Sequence, residues 1–347
     1  MFISKTHLPQ ILRPQDYTSR EQFDREIETL FRPGWHCVGT LADLPSEGDF
    51  LTFSLFGTPL IVWRIDGGVQ AFLNVCPHRF SALTDERCGH AGDRLRCRYH
   101  GWEFDGTGNT RKIPDAKNFK PLEQGMLGLQ SFRTATCGQL IYVTLATEGP
   151  DLPEWLGPGY DLGCEIFGAD RRHFFTLEQD IGANWKIKLE NALESYHVGV
   201  VHKETFGKMP DEALCEHEIH ETWTSFTSRE PAASRVDRLL DRLVHRLARV
   251  EHTGAYTHHV FYPYVLFTHG GLLSAVEVLY PVASNRTRGF VHYFCNPGPA
   301  GTLTRNCSIR GSAVGERSSS RKSPVKTPNS CPAFNWAWRP ACNPRKA

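Results

Sequence analysis

The sequence predicts an α+β protein with two domains, and three observations support this prediction. Helical and strand-like segments follow one another without a regular β-α-β alternation, which favours α+β over a parallel doubly wound sheet. The chain has 347 residues, enough for two domains of ordinary size. Apolar residues make up 40% and charged residues 22% of the sequence, so a large buried core can form.

The first predicted element is an amphipathic helix over residues 19–32. Its apolar residues recur at helical spacing and share one face, namely Phe23, Ile27, Leu30 and Phe31. Short strand-like runs follow between residues 35 and 75, separated by turn-forming Gly, Pro and Asp residues. Residues 76–116 are rich in Cys, His, Gly and Arg and show little periodicity, so we expect loops there.

The second half is predicted to combine helices with several strands. After a strand at 138–146, the Pro- and Gly-rich stretch 148–163 is interpreted as a linker between domains. Helices are predicted at 184–202 and 235–250, and strands at 256–268, 272–282 and 288–296. The predicted organisation comprises an N-terminal helical segment at 1–40, a first domain at 41–150, a second domain at 151–300 and a basic tail at 301–347.

The net charge of +1 combines two regions of opposite charge. Residues 301–347 contain nine Lys or Arg residues and one acidic residue, whereas residues 1–300 contain 30 basic and 37 acidic residues. An acidic body argues against nucleic-acid binding. No apolar run approaches the roughly 18 residues of a membrane helix, and the N-terminus lacks the pattern of a secretory signal. We therefore expect a cytoplasmic protein that binds neither nucleic acid nor membrane.

Two short Cys/His motifs carry the strongest chemical signal. Cys76 and His78 flank one proline, and eighteen residues later Cys97 precedes His100 by three positions. Two thiolates on one iron and two imidazoles on the other are the ligands of a Rieske [2Fe–2S] cluster. The alternative is a Cys₂His₂ zinc site, whose loops usually pair like ligands. Because each loop here contains one Cys and one His, the pattern favours the cluster.

The segments CPHR and CRYHGWEFD resemble the Rieske non-haem iron oxygenases, and specifically their large (α) subunits. Neither loop has the additional cysteine that cross-links the loops of Rieske proteins in respiratory and photosynthetic complexes. The resemblance covers about residues 20–300. It implies an all-β Rieske [2Fe–2S] domain followed by a helix-grip α+β catalytic domain that binds a mononuclear Fe(II).

A second motif, in which Glu194 precedes His197 and His202, matches the family's mononuclear iron site. Non-haem Fe(II) oxygenases bind iron with two His and one carboxylate, which leaves positions open for O₂. By this resemblance His197 and His202 are iron ligands, with the helix ending or bending between them. Glu194 matches the acidic residue that links a Rieske histidine of one subunit to an iron-ligating histidine of the next.

An isolated pair of histidines would more often be structural, but this pair follows a Rieske motif by about a hundred residues. Tyr196 is expected to hydrogen-bond near the iron. Three further histidines lie in strand-like sequence and are interpreted as strand or pocket residues without a ligand role: His258, His259 and His269.

The family's third iron ligand is an Asp in a late helix, and the sequence lacks it. No Asp follows Asp241, and Glu316 is the only acidic residue beyond residue 302. We hypothesise a frameshift near residue 305, because residues 325–330 can be encoded so that reading two bases later gives Glu-Asp-Ala-Glu-Leu. Sequencing the gene tests this hypothesis. A disordered basic tail is the alternative, and a nucleic-acid-binding tail is a third.

The resemblance implies a terminal oxygenase component. Such a component receives electrons from a separate NAD(P)H-dependent reductase, directly or through a ferredoxin, and uses O₂ to hydroxylate, dihydroxylate or dealkylate a small organic substrate. An aromatic substrate is expected, and a quaternary amine is the alternative because Glu194 stands where many ring-hydroxylating members have Asp. The family's architecture implies a homotrimer, with or without a β subunit. A Rieske electron carrier and an inactive product without the third iron ligand are the competing hypotheses.

Overall fold

The computed structural model describes residues 12–123, 126–194, 196–201, 212–229 and 254–296, short helical pieces between 239 and 250, and the backbone of 335–339. The α-helices are α1 (Pro14–Thr18), α2 (Arg20–Glu26), α3 (Leu152–Leu156), α4 (Pro158–Ile166), α5 (Trp185–Ala192) and α6 (Val198–Val201). A π-helical turn extends α2 (Ile27–Phe31), and 3₁₀ turns lie at Leu41–Asp43, Ala116–Phe119 and Glu212–Leu214.

The strands of the first half form two antiparallel sheets. They are β1 (Trp35–Thr40), β2 (Asp49–Leu55), β3 (Thr58–Ile65), β4 (Gly68–Leu73), β5 (Cys88–His90), β6 (Leu95–Arg96), β7 (Glu103–Phe104), β8 (Thr110–Lys112), β9 (Ser131–Cys137) and β10 (Leu140–Thr144). The larger sheet has the order β1-β10-β9-β4-β3-β2-β5, and the smaller has the order β6-β7-β8. Both candidate Cys/His loops lie among these strands.

The strands of the second half form one antiparallel sheet. They are β11 (Arg172–Ile181), β12 (Cys215–Ile219), β13 (Trp223–Arg229), β14 (Ala255–Phe261), β15 (Val265–Gly270), β16 (Leu273–Ala283), β17 (Arg286–Cys295) and β18 (Asn335–Arg339). Their order is β12-β13-β14-β15-β16-β17-β11-β18. Helix α5 lies against this sheet, where the Lys188 ammonium is 3.0 Å from the Glu277 carboxylate of β16. The predicted α+β class is confirmed.

One hydrophobic core connects the two halves. Phe31 stacks on Tyr264 with 4.7 Å between ring centroids, and both rings are fully buried. The Tyr264 hydroxyl donates to the Trp35 carbonyl at 3.2 Å, and the His36 ring stacks on Tyr264 from β1. The first sheet therefore packs directly on the strands of the second half, and burial of these large rings is a major part of the stability.

A buried ion pair joins the N-terminal helices to α5. Glu26 and Lys186 are 5% and 8% exposed, and the Lys186 ammonium lies 2.7 Å from both carboxylate oxygens of Glu26. The indole N–H of Trp185 also donates to this carboxylate at 2.9 Å. The predicted amphipathic helix at 19–32 is confirmed as α2 and its π-helical extension, and it positions Glu26 for this contact.

The stretch 148–163 is not a linker, and that interpretation is wrong. It contains α3 and most of α4, and Leu152 and Leu156 are buried. Proline lies in the first turn of both helices, as Pro153 in α3 and Pro158 in α4, because the first helical turn needs no N–H donor there. Composition alone does not distinguish a linker from packed helices here. Pro and Gly are common in loops, but Pro also occurs in the first turn of helices and Gly where helices pack closely.

Two more predicted elements differ in their boundaries. The predicted strand at 256–268 is a hairpin of β14 and β15, which turn at Tyr262–Tyr264 around Pro263. The predicted helix at 184–202 ends at Ala192, so the interruption precedes His197 instead of following it. Most of the predicted helix at 235–250 lies outside the described residues, and the described residues at 239, 242–243 and 245–247 are helical.

The basic tail is described only at the backbone of β18, which pairs with β11. In the ranges that the structure covers, no helix is long and apolar enough to cross a membrane.

Candidate metal centres

The two Cys/His loops of the first half share one backbone geometry. In each loop, the N–H four residues after the cysteine donates to the cysteine carbonyl at 2.9 Å, from Phe80 to Cys76 and from Gly101 to Cys97. In each loop, the cysteine N–H donates to the carbonyl five residues later at 2.8 Å. Phe80 and Gly101 both adopt left-handed φ angles, of 56° and 72°. The two loops are therefore similar turns that face each other as a pair.

The two cysteines form the buried side of this pair. Cys76 and Cys97 are each 1% exposed, and their side chains are within hydrogen-bonding reach of each other. Burial raises the pKa of the Cys76 thiol to about 11, although the backbone N–H groups of His78 and Arg79 oppose this shift. The Cys76 thiol therefore stays protonated unless a cation replaces the proton, and with the buried Cys97 beside it the pair suits a metal centre.

The two histidines form the more exposed side. The rings of His78 and His100 lie 4.7 Å apart between centroids, and His78 stacks on the buried indole of Trp102 at an angle of 8°. Burial lowers the pKa of His78, as does the nearby His100, so the ring is the neutral form that binds metal. Its Nδ1 is buried without a hydrogen-bond partner in the part of the chain described. An iron ion at Nδ1 would satisfy this atom.

The arrangement separates donors by type, with thiols on one side and imidazoles on the other. Within the described ranges, no three His, Cys, Asp or Glu side chains are placed to hold one metal ion. A zinc ion would need four donors around one point, whereas a Rieske cluster needs only two protein donors for each of two irons. The geometry therefore fits the cluster better than the zinc alternative.

The second candidate centre lies just beyond α5. The Asn184 side chain caps this helix by accepting from the Lys186 N–H at 3.0 Å. After the helix ends, one Glu194 oxygen accepts from the backbone N–H groups of Tyr196 and His197, the latter at 3.2 Å. The other oxygen lies 2.5 Å from Nδ1 of His197. The carboxylate thus fixes both the turn and the orientation of the imidazole.

This contact determines which nitrogen of His197 can bind a metal. Burial of Glu194 opposes its ionisation, but hydrogen bonds from His197 and Tyr196 lower the pKa of the carboxyl below its ordinary value. An ionised Glu194 accepts a hydrogen bond from Nδ1–H of His197, which leaves Nε2 with a lone pair for a metal ion. His202 lies outside the described residues, and the Tyr196 side chain is 82% exposed.

A cavity of about 230 Å³ adjoins this second centre. It lies between the end of α5, at Ala192 and Leu193, and one face of β12, β13 and β14. Its wall is mainly apolar, with Phe226 and Val260, and His258 contributes a polar group. The sequence does not reveal this cavity, because strand alternation alone does not show which strands are neighbours.

The chain matches two protein-family models. Residues 34–133 match the Rieske [2Fe-2S] domain, and residues 169–313 match the catalytic domain of the ring hydroxylating alpha subunit. The chain belongs to the family of Rieske oxygenase large (alpha) subunits. The first match includes both Cys/His loops, and the second includes Glu194, His197 and His202.

Curated relatives of this Rieske oxygenase chain act on different kinds of molecule. It is 31% identical over 203 residues to the anthranilate 1,2-dioxygenase large subunit of Burkholderia cepacia, an alignment covering 54% of this chain and 46% of the relative. It is 33% identical over 195 residues to chloroplastic choline monooxygenase of Spinacia oleracea, covering 54% and 44%. The chain thus spans about half the length of the curated relatives it matches.

Solved structures of Rieske oxygenases share the fold. A quaternary ammonium Rieske monooxygenase, CntA, in complex with L-carnitine matches with a TM-score of 0.69 at 19% identity, covering 82% of this chain and 75% of that one. Naphthalene 1,2-dioxygenase with bound indole matches with a TM-score of 0.68 at 22% identity, covering 83% and 72%. These similarities support the α+β architecture of the present Rieske oxygenase chain.

Proposed function

We propose that the chain is the terminal oxygenase component of a Rieske oxygenase, which oxidises a small organic substrate with O₂ and electrons from a separate NAD(P)H-dependent reductase. The observation that carries this proposal is the presence, in one chain, of a paired Cys/His loop site and a carboxylate-oriented imidazole beside a cavity. A simple electron carrier would need only the first of these. When bound, the [2Fe–2S] cluster supplies single electrons and the mononuclear Fe(II) supplies the chemistry of O₂.

The chain's own residues have distinct proposed roles. Cys76 and Cys97 would hold one iron of the cluster, and His78 and His100 the other. His197 and His202 would hold the mononuclear iron, with Glu194 orienting His197 through Nδ1. The third iron ligand is not among these residues. Under the frameshift hypothesis it would lie in the late helix that residues after 305 replace.

The surface around the two Cys/His loops supports the proposal that the chain exchanges electrons with other chains. Phe80 and Tyr99 are 81% and 60% exposed, and the Tyr99 ring lies 3.8 Å from that of His100. Exposed aromatic side chains of this kind are typical of protein interfaces. We propose that this surface contacts a neighbouring subunit of a homotrimer, with or without a β subunit, and that a reductase or ferredoxin delivers electrons to it.

A cytoplasmic location is part of the proposal. Cys137 and Cys164 lie with Sγ atoms 4.0 Å apart without forming a disulfide. The support comes from the composition, because 11 cysteines in 347 residues are sparser than in a secreted disulfide scaffold.

The substrate class has two candidates. An aromatic substrate accords with the name of the matching catalytic family and with the apolar cavity wall. A quaternary amine is supported by Glu194 in place of the Asp of many ring-hydroxylating members and by the likeness to choline and carnitine monooxygenases. Product analysis with one probe of each class, such as benzoate and choline, distinguishes them.

Iron and acid-labile sulfide analysis tests the proposed function. We expect about three Fe and two sulfides per chain for the oxygenase, and about two Fe for a carrier or for a product that cannot hold the mononuclear iron. The control is a chain in which the frame after residue 305 is restored, which should gain the third iron and O₂ uptake if the hypothesis is right. A visible spectrum without Rieske features would contradict the proposal.

A further inference from the structure

Two histidines face each other on the opposite side of the sheet from the substrate cavity. In the β14–β15 hairpin, His259 pairs with Phe267 and His269 pairs with Thr257. His259 and His269 are therefore offset by two residues and project from the same face. Their rings are nearly parallel, at 9°, and their Nε2 atoms are 3.4 Å apart. This face packs towards α4, where Phe261 contacts Gly159, and not towards α5.

The two nitrogens form a long hydrogen bond of 3.4 Å. Because N–H···O bonds in proteins usually measure about 2.7–3.2 Å, a bond of this length is weak. Two imidazole nitrogens bound tetrahedrally to one ion at about 2.0–2.1 Å are separated by about 3.3 Å. The observed distance is thus close to that of two donors on one transition-metal ion.

Both rings are in the form that can bind a metal ion. Burial lowers the pKa of His259 to about 4, and the neighbouring His269 lowers it further. Burial also lowers the pKa of His269, with Arg171 in the same direction and Glu165 opposing it. Both imidazoles are therefore neutral at physiological pH, and each ring remains partly accessible to solvent. Unprotonated imidazole is a ligand suited to zinc, copper and nickel ions.

We propose that His259 and His269 form a binding site for a divalent ion of the nickel, copper and zinc series, separate from both iron centres. Within the described residues only these two protein donors converge, so water completes the coordination. Glu218 and Glu165 are exposed carboxylates near the two rings and make the local field favourable for a cation. An ion held here would link β14 to β15 across their turn. The proposal does not depend on the oxygenase activity.

Nickel binding to the purified chain with its cluster in place tests the site. We expect the wild type to bind one more Ni²⁺ per chain than His269→Asn, counted by equilibrium dialysis. His217→Asn, on the same sheet but on the face that lines the cavity, is the matched control and should retain the full count. If His269→Asn fails to fold, as judged from its Rieske spectrum, His259→Gln gives the same comparison.

A second measurement locates the ion. The Trp223 indole lies 6.2 Å from the His259 ring, so Ni²⁺ should quench part of the tryptophan fluorescence in the wild type and not in Trp223→Phe. Zn²⁺ should displace the Ni²⁺ and Mg²⁺ should not. Equal Ni²⁺ counts for wild type and His269→Asn, loss of an ion from His217→Asn, or displacement by Mg²⁺ would each overturn the proposal.

Discussion

Glu194 performs two tasks with one carboxylate. One oxygen ends the turn after α5 by accepting from the backbone, and the other holds Nδ1 of His197. A neutral amide could make the backbone contacts, but its hydrogen bond with the imidazole N–H would be weaker than that of a carboxylate. The residue therefore orients His197, the proposed iron ligand, and favours one tautomer of its ring.

Replacing Glu194 with Gln in the chain with the restored frame should weaken the mononuclear iron site while the cluster stays intact. Loss of a carboxylate that supports a ligating histidine typically costs 10–100-fold in metal affinity. The measurement is the iron retained after dialysis against a weak chelator, with the Rieske visible spectrum as internal control. The role assigned to Glu194 is wrong if iron retention is unchanged, or if the Rieske spectrum is lost as well.

The buried pair of Glu26 and Lys186 gives a second prediction at this scale. Lys186→Met leaves a buried carboxylate without its counter-ion, which should lower the free energy of unfolding by about 3–5 kcal/mol. The double variant Glu26→Leu/Lys186→Met removes both charges and should recover most of that loss. Urea unfolding of the wild type, the single variant and the double variant measures the three free energies of unfolding. A single variant as stable as the wild type would show that the pair is not held as described.

Single residues also show what the sequence can and cannot reveal. Spacing predicts Cys76, His78, Cys97 and His100 as cluster ligands, because each of two short loops offers one Cys and one His. The buried Nδ1 of His78 and the His259–His269 contact depend on which loops and strands meet. Such pairings are not encoded in local spacing, and so they became visible only in the structure.

Helix α4 approaches the sheet closely because glycines occupy one of its faces. A β-carbon at Gly159 would lie 2.5 Å from the Phe261 ring, and one at Gly163 would lie 2.4 Å from the Cys137 sulfur. These positions are one helical turn apart and lie on one face of α4, which packs against Phe261 of the second sheet and Cys137 of the first. Small residues there let the helix cover the sheet where a larger side chain would separate the two.

Gly159→Ala should therefore destabilise the protein, although alanine is the better helix former by up to about 1 kcal/mol. The overpacking against Phe261 should lower the free energy of unfolding by about 1–3 kcal/mol. Gly68→Ala is the control, because its β-carbon would have no neighbour closer than 4.0 Å, and it should change stability by less than about 0.5 kcal/mol. Equal stability of the two variants would mean that α4 is not packed this closely.

Across the whole molecule, histidines with lowered pKa values link stability to pH. Burial lowers the pKa of His36 to about 3 and those of His258 and His292 to about 4. In the unfolded chain these groups titrate near 6.5. Between about pH 6.5 and 4 the unfolded state therefore binds more protons, and stability falls as the pH decreases.

The free energy of unfolding should fall from pH 6.5 to 5, and His36→Gln should reduce this slope. Each additional proton bound by the unfolded state contributes about 1.4 kcal/mol per pH unit. The carboxyl groups with lowered pKa values, such as Asp105 and Asp180, act mainly below this window. Urea unfolding of the wild type and of His36→Gln at pH 5, 6, 7.5 and 8.5 tests this prediction. Above pH 7 the free energies of unfolding of the two proteins should change in parallel. A slope unaffected by the substitution would contradict the buried neutral state of His36.

At this scale the fold class and the family could be predicted from the sequence, but the relation of the halves could not. Motifs at Cys76 and His197 identify two sites, and strand-like runs indicate two β-rich regions. Composition suggested a flexible connection at 148–163, where the structure has helices packed into the core. Whether Pro- and Gly-rich sequence forms a loop or a closely packed helix depends on long-range contacts such as that of Gly159 with Phe261.

The core shared by the two halves has a consequence for how the protein is made. Trp35 and Tyr142 of the first sheet are buried in the same cluster as Tyr264 and Phe267, which leave the ribosome much later. Until those residues emerge, the first half carries a large exposed apolar surface and needs protection by chaperones. We expect stable insertion of the cluster only after the second half has been synthesised, so an early translational stop should yield an aggregated protein without colour and not a small Rieske protein.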